Sequence, residues 1–423
     1  MPIQSFPAHL STENWCRISN CLPKLNGSVL RPTLGSRMQL SRVLSMLQVH
    51  STMQFVLIHS WRSAATGVKM PDLPPEPKKI LLRLPNWVGD LVMCTPALRS
   101  IRKHYPAAHI AAILKPSLIK LIEYSPFLDR IIPYEPKGKD RGLRAYLRFI
   151  QKLRKECFDM GIAFTSSFSS AQLLFLAGIP VRVGYAKNAR SWMLTHRKKP
   201  LREGGKNVPV NKVLLDLGLC ELLGCTDLST RPELHPGQQA EEQADALCSR
   251  YGIRQDDLLI IMIPGATYGP SKCWKQDYFA QVADRLIEEY NAKIMFIAGP
   301  GELLIVRTIL KMMHRSPIDL GDQILPLDTL MALVRRCSMM ITNDTGPRHF
   351  AVAFDKPVVV IMGSTDPRHT DCNLEKTIVL QETVPCGPCH LRQCPTDHRC
   401  MSLITPDRVI EAARSMIATY CLK

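Results

Sequence analysis

The stretch Lys-Ile-Leu-Leu-Arg-Leu-Pro-Asn-Trp-Val-Gly-Asp, residues 79–90, places a strand of the buried type directly before a glycine-containing turn and a helix start. A second stretch, residues 258–274, repeats this order, with the apolar run Leu-Leu-Ile-Ile-Met-Ile followed by Pro-Gly-Ala-Thr-Tyr-Gly-Pro-Ser-Lys-Cys-Trp. Open α/β sheets bind ligands at the carboxyl ends of their strands. The first turn supplies the carboxylate of Asp90 and the second supplies Lys272. Together they predict a base and an anion clamp for group transfer.

Strands alternate with helical patterns on both sides of Pro232. The predicted strands are residues 79–84, 109–114, 130–133, 160–163 and 181–184 in the first run, and residues 258–263, 293–298, 339–342 and 358–362 in the second. Repeated βα alternation predicts parallel sheets. Two such runs predict an α/β protein of two Rossmann-like domains that face each other across a cleft.

Composition limits the classes of partner. The chain has 54 Lys and Arg against 37 Asp and Glu, and the resulting net charge of +17 favours nucleic acid, a membrane surface or phosphorylated substrates. Fifteen cysteines without a convincing export signal favour a reducing compartment, with free thiols or a metal. Residues 160–181 carry no charge, so a membrane span has to be considered. Four serines and a Gly-Ile-Pro break in this run favour a strand, a loop and a helix instead.

Two later turns resemble phosphate-binding sites. Residues 297–302 follow a strand as Ile-Ala-Gly-Pro-Gly-Glu but lack the third glycine of a dinucleotide fingerprint, which argues against an NAD site. Glu302 remains a candidate for contact with a ribose hydroxyl, and a plain tight turn is the alternative. Residues 342–349 join a strand to a helix, with Asp344 or Thr345 as candidate N-cap. Pyrophosphate would bind at this helix start beside His349, unless the turn is simply a well-capped helix.

The cysteine pattern near the C-terminus has two interpretations. Cys386, Cys389, Cys394 and Cys400 form C-x2-C-x4-C-x5-C, and four thiols can hold zinc tetrahedrally. Only one CxxC pair is present, however, so the segment could instead order a loop after the last strand. Net positive charge with a Cys/His metal module would also fit a nucleic-acid-binding protein. The basic residues gather in 182–202 and not beside the cysteines, which argues against that class.

Several of these segments together resemble one enzyme family. The matching motifs are residues 85–90, residues 264–274, residues 343–349, the serine segment 167–171, residues 177–180, residues 184–185 and the late cysteines. They resemble the lipopolysaccharide heptosyltransferases of glycosyltransferase family 9, type II branch, in the right order from about Lys79 to the C-terminus. Several motifs linked in one order are much more specific than any one of them.

The resemblance implies a GT-B fold and an inverting transfer that needs no metal or other cofactor. The donor would be ADP-L-glycero-D-manno-heptose and the acceptor the inner core of lipopolysaccharide, on a Kdo- or heptose-bearing lipid A. By motif, Asp90 is the catalytic base and Lys272 contacts the donor phosphates and leaving group. The matching donor-binding positions are Thr267, Lys272, Asp344, Thr345, Gly346 and His349. Pro347 and Arg348 depart from the family pattern, which leaves a different nucleotide sugar open.

Composition and resemblance together suggest a domain plan. Residues 1–77 contain Pro, Ser and short apolar pieces without a sustained period, which predicts a weakly structured extension and linker that the resemblance does not cover. The resemblance implies an acceptor-binding domain over 78–231 and a nucleotide-sugar-binding domain over 232–404. Residues 405–423 would form a helix that packs back on the first domain.

The basic stretch 182–202 suggests where the acceptor and the membrane meet the protein. Arg182, Lys187 and Arg190 from this stretch, with Ser169 from the serine segment, are the acceptor-binding candidates. An anionic lipid-linked sugar would hold the enzyme on the cytoplasmic face of the inner membrane without a span, and nucleic acid is not expected as a partner. The alternative is that the stretch is only a solvated face.

Overall fold

The computed structural model describes residues 76–422. The predicted extension over 1–77 therefore lies almost entirely outside the described residues. The first half of the described chain forms a six-stranded sheet with the order β3-β2-β1-β4-β5-β6. Its elements are β1 (Lys79–Arg83), α1 (Val88–His104), β2 (His109–Leu114), α2 (Ile119–Ile122), β3 (Arg130–Pro133), α3 (Leu143–Lys155), β4 (Met160–Ala163), α4 (Phe168–Leu176), β5 (Val181–Tyr185) and β6 (His196–Lys198).

Strand β1 sits at the centre of this sheet because its side chains are apolar on both faces. Ile80, Leu81 and Leu82 are fully buried, and β1 pairs in parallel with β2 on one side and β4 on the other. Helices cover both faces of such a sheet, so its central strands are continuous hydrophobic runs rather than alternating ones. The carboxyl end of β1 then leads directly into α1 and positions Asp90 in that helix's first turn.

The second half forms a five-stranded sheet with the order β10-β9-β11-β12-β13, in which every pairing is parallel. Between the two sheets lie a short hairpin and two helices: β7 (Arg202–Glu203), β8 (Lys206–Asn207), α5 (Lys212–Leu222) and α6 (Gln238–Arg250). The remaining elements are β9 (Leu259–Ile263), α7 (Gln276–Tyr290), β10 (Lys293–Phe296), α8 (Leu303–Met312), α9 (Leu327–Arg336), β11 (Met339–Asn343), α10 (Arg348–Ala353), β12 (Val358–Met362), β13 (Thr377–Gln381), α11 (Arg399–Ser402) and α12 (Pro406–Tyr420).

All nine predicted strands are present within two residues of their expected ends, and the two parallel sheets confirm the predicted α/β class. The pattern missed the short hairpin strands β7 and β8, and it missed β6 and β13, which are edge strands of the two main sheets. Strand β6 is His-Arg-Lys, and every residue of β13 is only half-buried. Edge strands of this kind lack the apolar run that marks a central strand, because one side of each has no neighbouring strand to cover it.

The expected packing of the C-terminal helix is wrong. Helix α12 packs against α7 and β12 of the second half, not back on the first domain. Its apolar face, including Val409, Ala413 and Ile417, belongs to the same buried cluster as Trp274 and Phe279. The indole N–H of Trp274 also donates to the carbonyl of Ile404, 2.8 Å away, just before the helix begins. A face that is already buried on the second sheet has no apolar surface left for the first.

The chain between the two sheets is held against α1. Helix α5 packs along α1, and α6 packs on α9 of the second half. The guanidinium of Arg99, in α1, donates to the carbonyls of Ser229 and Arg231 at 2.8 Å and 3.0 Å. These contacts indicate that the chain passes from the first half to the second near residue 231. The exact domain boundary between 231 and 232 stays a prediction. Across the two halves, α1 contacts α10 and α2 contacts α9.

The uncharged run 160–181 folds as β4, a loop, α4 and the start of β5, as the serines in it indicate. Over residues 76–422, no helix has the length and apolar character needed to cross a bilayer.

Candidate active site

A cavity of about 680 Å³ lies between the two halves. The first half contributes the turn after β1, the start of α1 and residues 115–118, and the second half contributes the turns after β9, β10 and β11. All of these turns follow the carboxyl ends of parallel strands, as expected for a ligand site in this type of sheet. The cavity is lined by Asp90, Thr267, Lys272, Glu302, Asp344, Thr345, Gly346 and His349, which comprise every residue predicted for catalysis or donor binding.

Asp90 is a half-buried carboxylate at the cavity. The N-cap of α1 is Trp87, so the Asp90 side chain is not used as a helix cap. Among residues 76–422 it has no hydrogen-bond or ion-pair partner. Burial raises the pKa of Asp90, and the more distant charges of Lys212, Lys272 and His369 offset this only in part. A carboxylate with a raised pKa in a cleft is suited to accept a proton.

Lys272, in contrast, belongs to a buried ion network. Its Nζ atom lies 2.7 Å from Oδ2 of Asp344, and the lysine side chain is 14% exposed. The same Asp344 oxygen accepts a hydrogen bond from Thr365, and Oδ1 lies 3.3 Å from Nε of Arg348. Burial opposes ionisation of Asp344, but Arg348 and Lys272 outweigh it and hold its pKa well below the usual range. Two cations therefore share one carboxylate, and this network keeps a net positive charge that favours an anionic ligand.

The turn after β11 differs from its prediction in one respect. Neither Asp344 nor Thr345 caps α10, because the N-cap residue is Pro347 and no side chain bonds there. Asp344 is committed to Lys272 and Arg348 instead. The backbone N–H groups of Thr345 and Gly346 have no hydrogen-bond partner within the described part of the chain, and both residues are half-buried at the cavity. Unpaired N–H groups in a cleft can bind an anion.

His349, in the first turn of α10, is a buried imidazole. Burial, followed by the positive charge of Arg348, lowers the pKa of His349 to about 3. At neutral pH the imidazole therefore carries no charge. It can donate a hydrogen bond to a ligand or accept one from it, but it cannot neutralise the charge of a phosphate.

Glu302 and Thr267 line the neighbouring part of the cavity. The Glu302 carboxylate accepts a hydrogen bond from the backbone N–H of Gly299 at 2.9 Å. Burial raises the pKa of Glu302, while the hydrogen bonds from Gly299 and Thr267 lower it in part. A Cβ atom at Gly265 would lie 2.1 Å from this carboxylate, so glycine is required for Glu302 to fold over the β9 turn.

Two glycines bring the halves into direct contact at the cavity. A Cβ atom built on Gly346 would lie 2.7 Å from Cβ of Val88 and 3.0 Å from the backbone nitrogen of Gly89. A Cβ atom on Gly89 would lie 2.9 Å from the His349 ring. Sequence reasoning missed this contact, because the spacing of two glycines 257 positions apart does not indicate that they touch. The close approach sets how near Asp90 comes to the donor turns.

Several cavity residues carried no recognisable sequence signal. Lys115 and Ser117, after β2, line the cavity from the first half. Leu325, Leu327 and Leu330 give the second half an apolar wall. Only the rule that ligands collect at strand carboxyl ends could have singled out Lys115, which directly follows β2. The leucines lie in and before α9, where their spacing indicates a helix face and nothing more.

None of the four predicted acceptor residues lines the cavity. For Arg190 the prediction is wrong: the residue is 0% exposed, and its guanidinium donates to the carbonyls of Tyr185 and Thr165 and to the hydroxyl of Ser170. Arg182 is also committed, since it donates to the carbonyls of Met193 and Ile179. Burial lowers the pKa of both arginines, that of Arg190 to about 10.

Lys187 and Ser169 differ from these arginines because both are exposed. Lys187 lies in the loop after β5, and Ser169 lies in the first turn of α4, which follows β4. Both follow the carboxyl ends of strands of the first sheet, as Asp90 does. Their role in acceptor binding stays a prediction.

The four late cysteines and His398 line a second, smaller cavity of about 70 Å³. Within the described range, no three His, Cys, Asp or Glu side chains are arranged so that they could hold a metal ion. The thiols therefore do not fit a zinc site as they stand, and structural zinc stays a prediction. Burial raises the pKa of the Cys400 thiol, and the nearby thiols of Cys394, Cys386 and Cys389 raise it further.

A sequence profile described as glycosyltransferase family 9 (heptosyltransferase) matches residues 146–399. The chain belongs to glycosyltransferase family 9. Curated relatives of this family 9 protein include lipopolysaccharide heptosyltransferase 2 of Salmonella typhimurium, 27% identical over 350 residues, or 80% of this chain and 99% of the relative. Lipooligosaccharide heptosyltransferase 2 of Campylobacter jejuni is 27% identical over 80% of this chain and 98% of the relative. These matches support a glycosyltransferase and give the nucleic-acid alternative no support.

Two solved structures share the fold of this family 9 chain. The ADP-heptose lipopolysaccharide heptosyltransferase II of E. coli superposes with a TM-score of 0.65 at 23% identity, covering 81% of this chain and 99% of that one. A family 9 glycosyltransferase of Veillonella parvula superposes with a TM-score of 0.70 at 24% identity, covering 82% and 99%. The predicted arrangement of two Rossmann-like domains facing across a cleft is confirmed.

Proposed function

We propose that this protein transfers L-glycero-D-manno-heptose from ADP-heptose to the inner core of lipopolysaccharide, with inversion at the anomeric carbon. The observation that carries the proposal is a half-buried Asp90, unpaired within the described part of the chain, in the same cavity as the cationic Lys272 network. A base on one side and positive charge on the other is the requirement of a glycosyl transfer with a diphosphate leaving group. The heptosyltransferase 2 relatives support this choice of donor and acceptor class.

In this reaction the acceptor hydroxyl attacks the anomeric carbon from the face opposite the diphosphate. The new carbon–oxygen bond forms as the bond to the phosphate oxygen breaks, and the electron pair of that bond goes to ADP. Asp90 accepts the hydroxyl proton, for which its raised pKa is suited. Lys272 neutralises the charge that grows on the leaving phosphate. The unpaired N–H groups of Thr345 and Gly346 would bind phosphate oxygens beside it.

The remaining cavity walls suit the rest of an ADP-sugar. Glu302 lies close enough to Thr267 to share a hydrogen bond, and the pair would meet the ribose hydroxyls. The apolar wall of Leu325, Leu327 and Leu330 would pack against the adenine ring. On the first half, Lys115 adds a cation to the cavity lining, where a phosphate or carboxylate of the acceptor would bind. No metal or other cofactor takes part in this proposal.

An assay of several donors tests the proposal. Purified protein is given ADP-heptose, ADP-glucose and UDP-glucose with a Kdo-bearing or a heptosylated lipid A, and the products are identified by mass spectrometry. We expect one heptose to be added, only from ADP-heptose, and the same rate in EDTA. ADP should raise the melting temperature more than UDP does, because a ligand that binds only the folded state stabilises it. Transfer from a different nucleotide sugar alone would overturn the donor assignment.

We further propose that the enzyme works at the cytoplasmic face of the inner membrane by peripheral contact. Phe175 and Trp192 form an exposed aromatic pair on the first half, with ring centroids 5.3 Å apart. The exposed cations Lys187, Arg197 and Lys199 lie in the same stretch of chain. Aromatic rings with neighbouring cations favour the interface of an anionic membrane.

Vesicle binding tests the membrane contact. The protein should bind phosphatidylcholine vesicles that contain phosphatidylglycerol, bind less in high salt, and bind pure phosphatidylcholine weakly. Trp192→Ser should reduce the binding, whereas Trp87→Ser, which changes an exposed tryptophan in the cavity, should not. Equal binding by both variants would overturn this contact.

A further inference from the structure

Residues 386–400, which we call the thiol segment, lie directly against the turn that carries Lys272. The backbone N–H of Ser271 donates to the carbonyl of Arg392 at 3.1 Å. The Ser271 hydroxyl donates to the carbonyl of Leu391, and the Tyr268 hydroxyl donates to that of His390, each at 2.5 Å. The turn is therefore bonded to the thiol segment residue by residue, immediately before Lys272.

His398 closes the contact from the other end of the thiol segment. Its Nε2 atom lies 2.9 Å from the carbonyl oxygen of Ser271, which can only accept, so Nε2 carries the hydrogen. Ser271 is 1% exposed, and its N–H, hydroxyl and carbonyl all bond to the segment. A residue that is bonded through all of its polar groups has little freedom to shift, and neither has the residue that follows it.

The backbone of the turn is shaped to this contact. Gly269 has φ +152°, and a Cβ atom there would lie 2.4 Å from the carbonyl oxygen of Arg392. The thiol segment is also bonded to the turn after β12, because the backbone N–H of His390 donates to the carbonyl of Ser364 at 2.8 Å. The next residue, Thr365, donates to Asp344, the partner of Lys272. Lys272 therefore follows a residue that bonds to the thiol segment, and Asp344 bonds to Thr365, whose neighbour Ser364 also bonds to that segment.

We propose that the thiol segment is a clamp that positions Lys272 for the leaving phosphate, with His398 and Ser271 as positioning residues. The inference rests on the proposed role of Lys272 toward a diphosphate. It gives the cysteine-rich segment a task that needs no metal: the segment holds a catalytic turn by backbone hydrogen bonds. Neither His398 nor Ser271 lines the main cavity, so both act through Lys272 rather than on the substrate.

A double-mutant cycle with ADP as the probe tests the clamp. His398→Phe removes the N–H donor but keeps a ring, and we expect ADP affinity and kcat each to fall about three- to tenfold. His398→Gln keeps an N–H donor and should restore most of the loss. In a Lys272→Ala background His398→Phe should change ADP affinity less than twofold, because groups that act through one residue are not additive. An equal loss in both backgrounds would overturn the clamp.

Hydrogen exchange separates failure of the clamp from failure of the proposed function. In His398→Phe the amides of residues 268–273 should exchange faster than in the wild type, while those of β9 should not change. His109→Phe, which replaces an exposed histidine at the start of β2, is the matched control and should leave both regions unchanged. Unchanged exchange over 268–273 overturns the clamp even if ADP binds. Faster exchange without ADP binding would instead keep the clamp and reject the proposed donor.

A second variant covers the case in which His398→Phe does not fold. Ser271→Ala removes the hydroxyl that bonds to Leu391 but keeps the backbone bonds, so its effects should be in the same direction and smaller. If Ser271→Ala lowers the melting temperature while kcat and ADP affinity stay at wild-type values, the segment only stabilises the fold and the proposal is wrong.

Discussion

The two sides of the cavity prepare their charges in opposite ways. On the first half, Asp90 has no hydrogen-bond or ion-pair partner among the residues that the structure describes, and burial raises its pKa. On the second half, Lys272 is held by Asp344, which also serves Arg348 and Thr365. A base must be free to receive a proton, whereas a phosphate clamp must stand in one place before the charge develops. The difference therefore follows from the chemistry of each side, since preorganised charge costs no reorganisation during the reaction.

The largest expected effect tests the unpaired side. Asp90→Asn keeps the shape of the side chain and removes the proton acceptor, so kcat should fall about 10²–10⁴-fold. ADP affinity, measured by calorimetry, should stay within about twofold, because the donor contacts lie on the other half. Asp256→Asn, which changes a carboxylate with 76% side-chain exposure, should leave both quantities unchanged. Full activity of Asp90→Asn at neutral pH would show that this side supplies no base.

The next effect tests the organised side. Lys272→Ala should lower kcat about 100-fold, since the charge on the leaving phosphate grows toward the transition state. It should also weaken ADP about tenfold or more, as expected for loss of a charge-assisted hydrogen bond. Lys275→Ala is the matched control, because Lys275 is exposed and its Nζ atom rests over the Tyr278 ring instead of in the cavity. Equal losses in the two variants would contradict a specific role for Lys272.

A pH profile links the two sides. The reaction needs ionised Asp90, so kcat/KM should decline as the pH falls through the raised pKa of that carboxyl. Lys272 is one of the charges that lower this pKa, and its removal must raise it. The residual activity of Lys272→Ala should therefore decline at a higher pH than that of the wild type. An acid limb at the same pH in both proteins would mean that Lys272 does not act on Asp90.

A smaller effect tests how closely the sides approach. Gly346→Ala places a methyl group 2.7 Å from Cβ of Val88, so the halves must move apart by a few tenths of an ångström or more. We expect kcat to fall about tenfold while ADP affinity changes little, because only the distance between Asp90 and the donor is affected. Val88→Gly in the same chain removes the nearer obstacle and should recover part of the rate. Wild-type kcat in Gly346→Ala would show that the approach of the halves does not limit transfer.

The smallest effect on activity is expected in the basic stretch, where two cations should behave differently. Arg190→Ala removes a fully buried guanidinium that bonds to backbone carbonyls, and it should cost about 3 kcal/mol of unfolding free energy. It should leave the acceptor KM unchanged in the folded fraction. Lys187→Ala should leave stability unchanged and raise the acceptor KM by about twofold at low salt. Denaturant unfolding and initial rates separate the two, and a rise in acceptor KM for Arg190→Ala would restore its predicted role.

The sequence alone was sufficient for the α/β class, nine strand positions and the turns that carry Asp90, Lys272 and Asp344. These are local properties, because an apolar run followed by a glycine turn has the same meaning wherever the chain places it. The edge strand β13 and the packing of α12 on the second sheet could not be predicted from such local patterns. Both depend on which surface remains uncovered after the rest of the chain has packed.

The tertiary structure decided which charged groups are free to act. Asp90 and Arg190 each looked like candidates for the site, yet one is unpaired at the cavity and the other is fully buried among carbonyl oxygens. Pairing and burial are set by residues distant in the chain, as when Ser271 meets Leu391 or Gly346 meets Val88. Residue type and spacing determine what a side chain can do. Its partners in space determine whether its charge is available, because a charge or hydrogen bond satisfied within the protein is not available to a ligand.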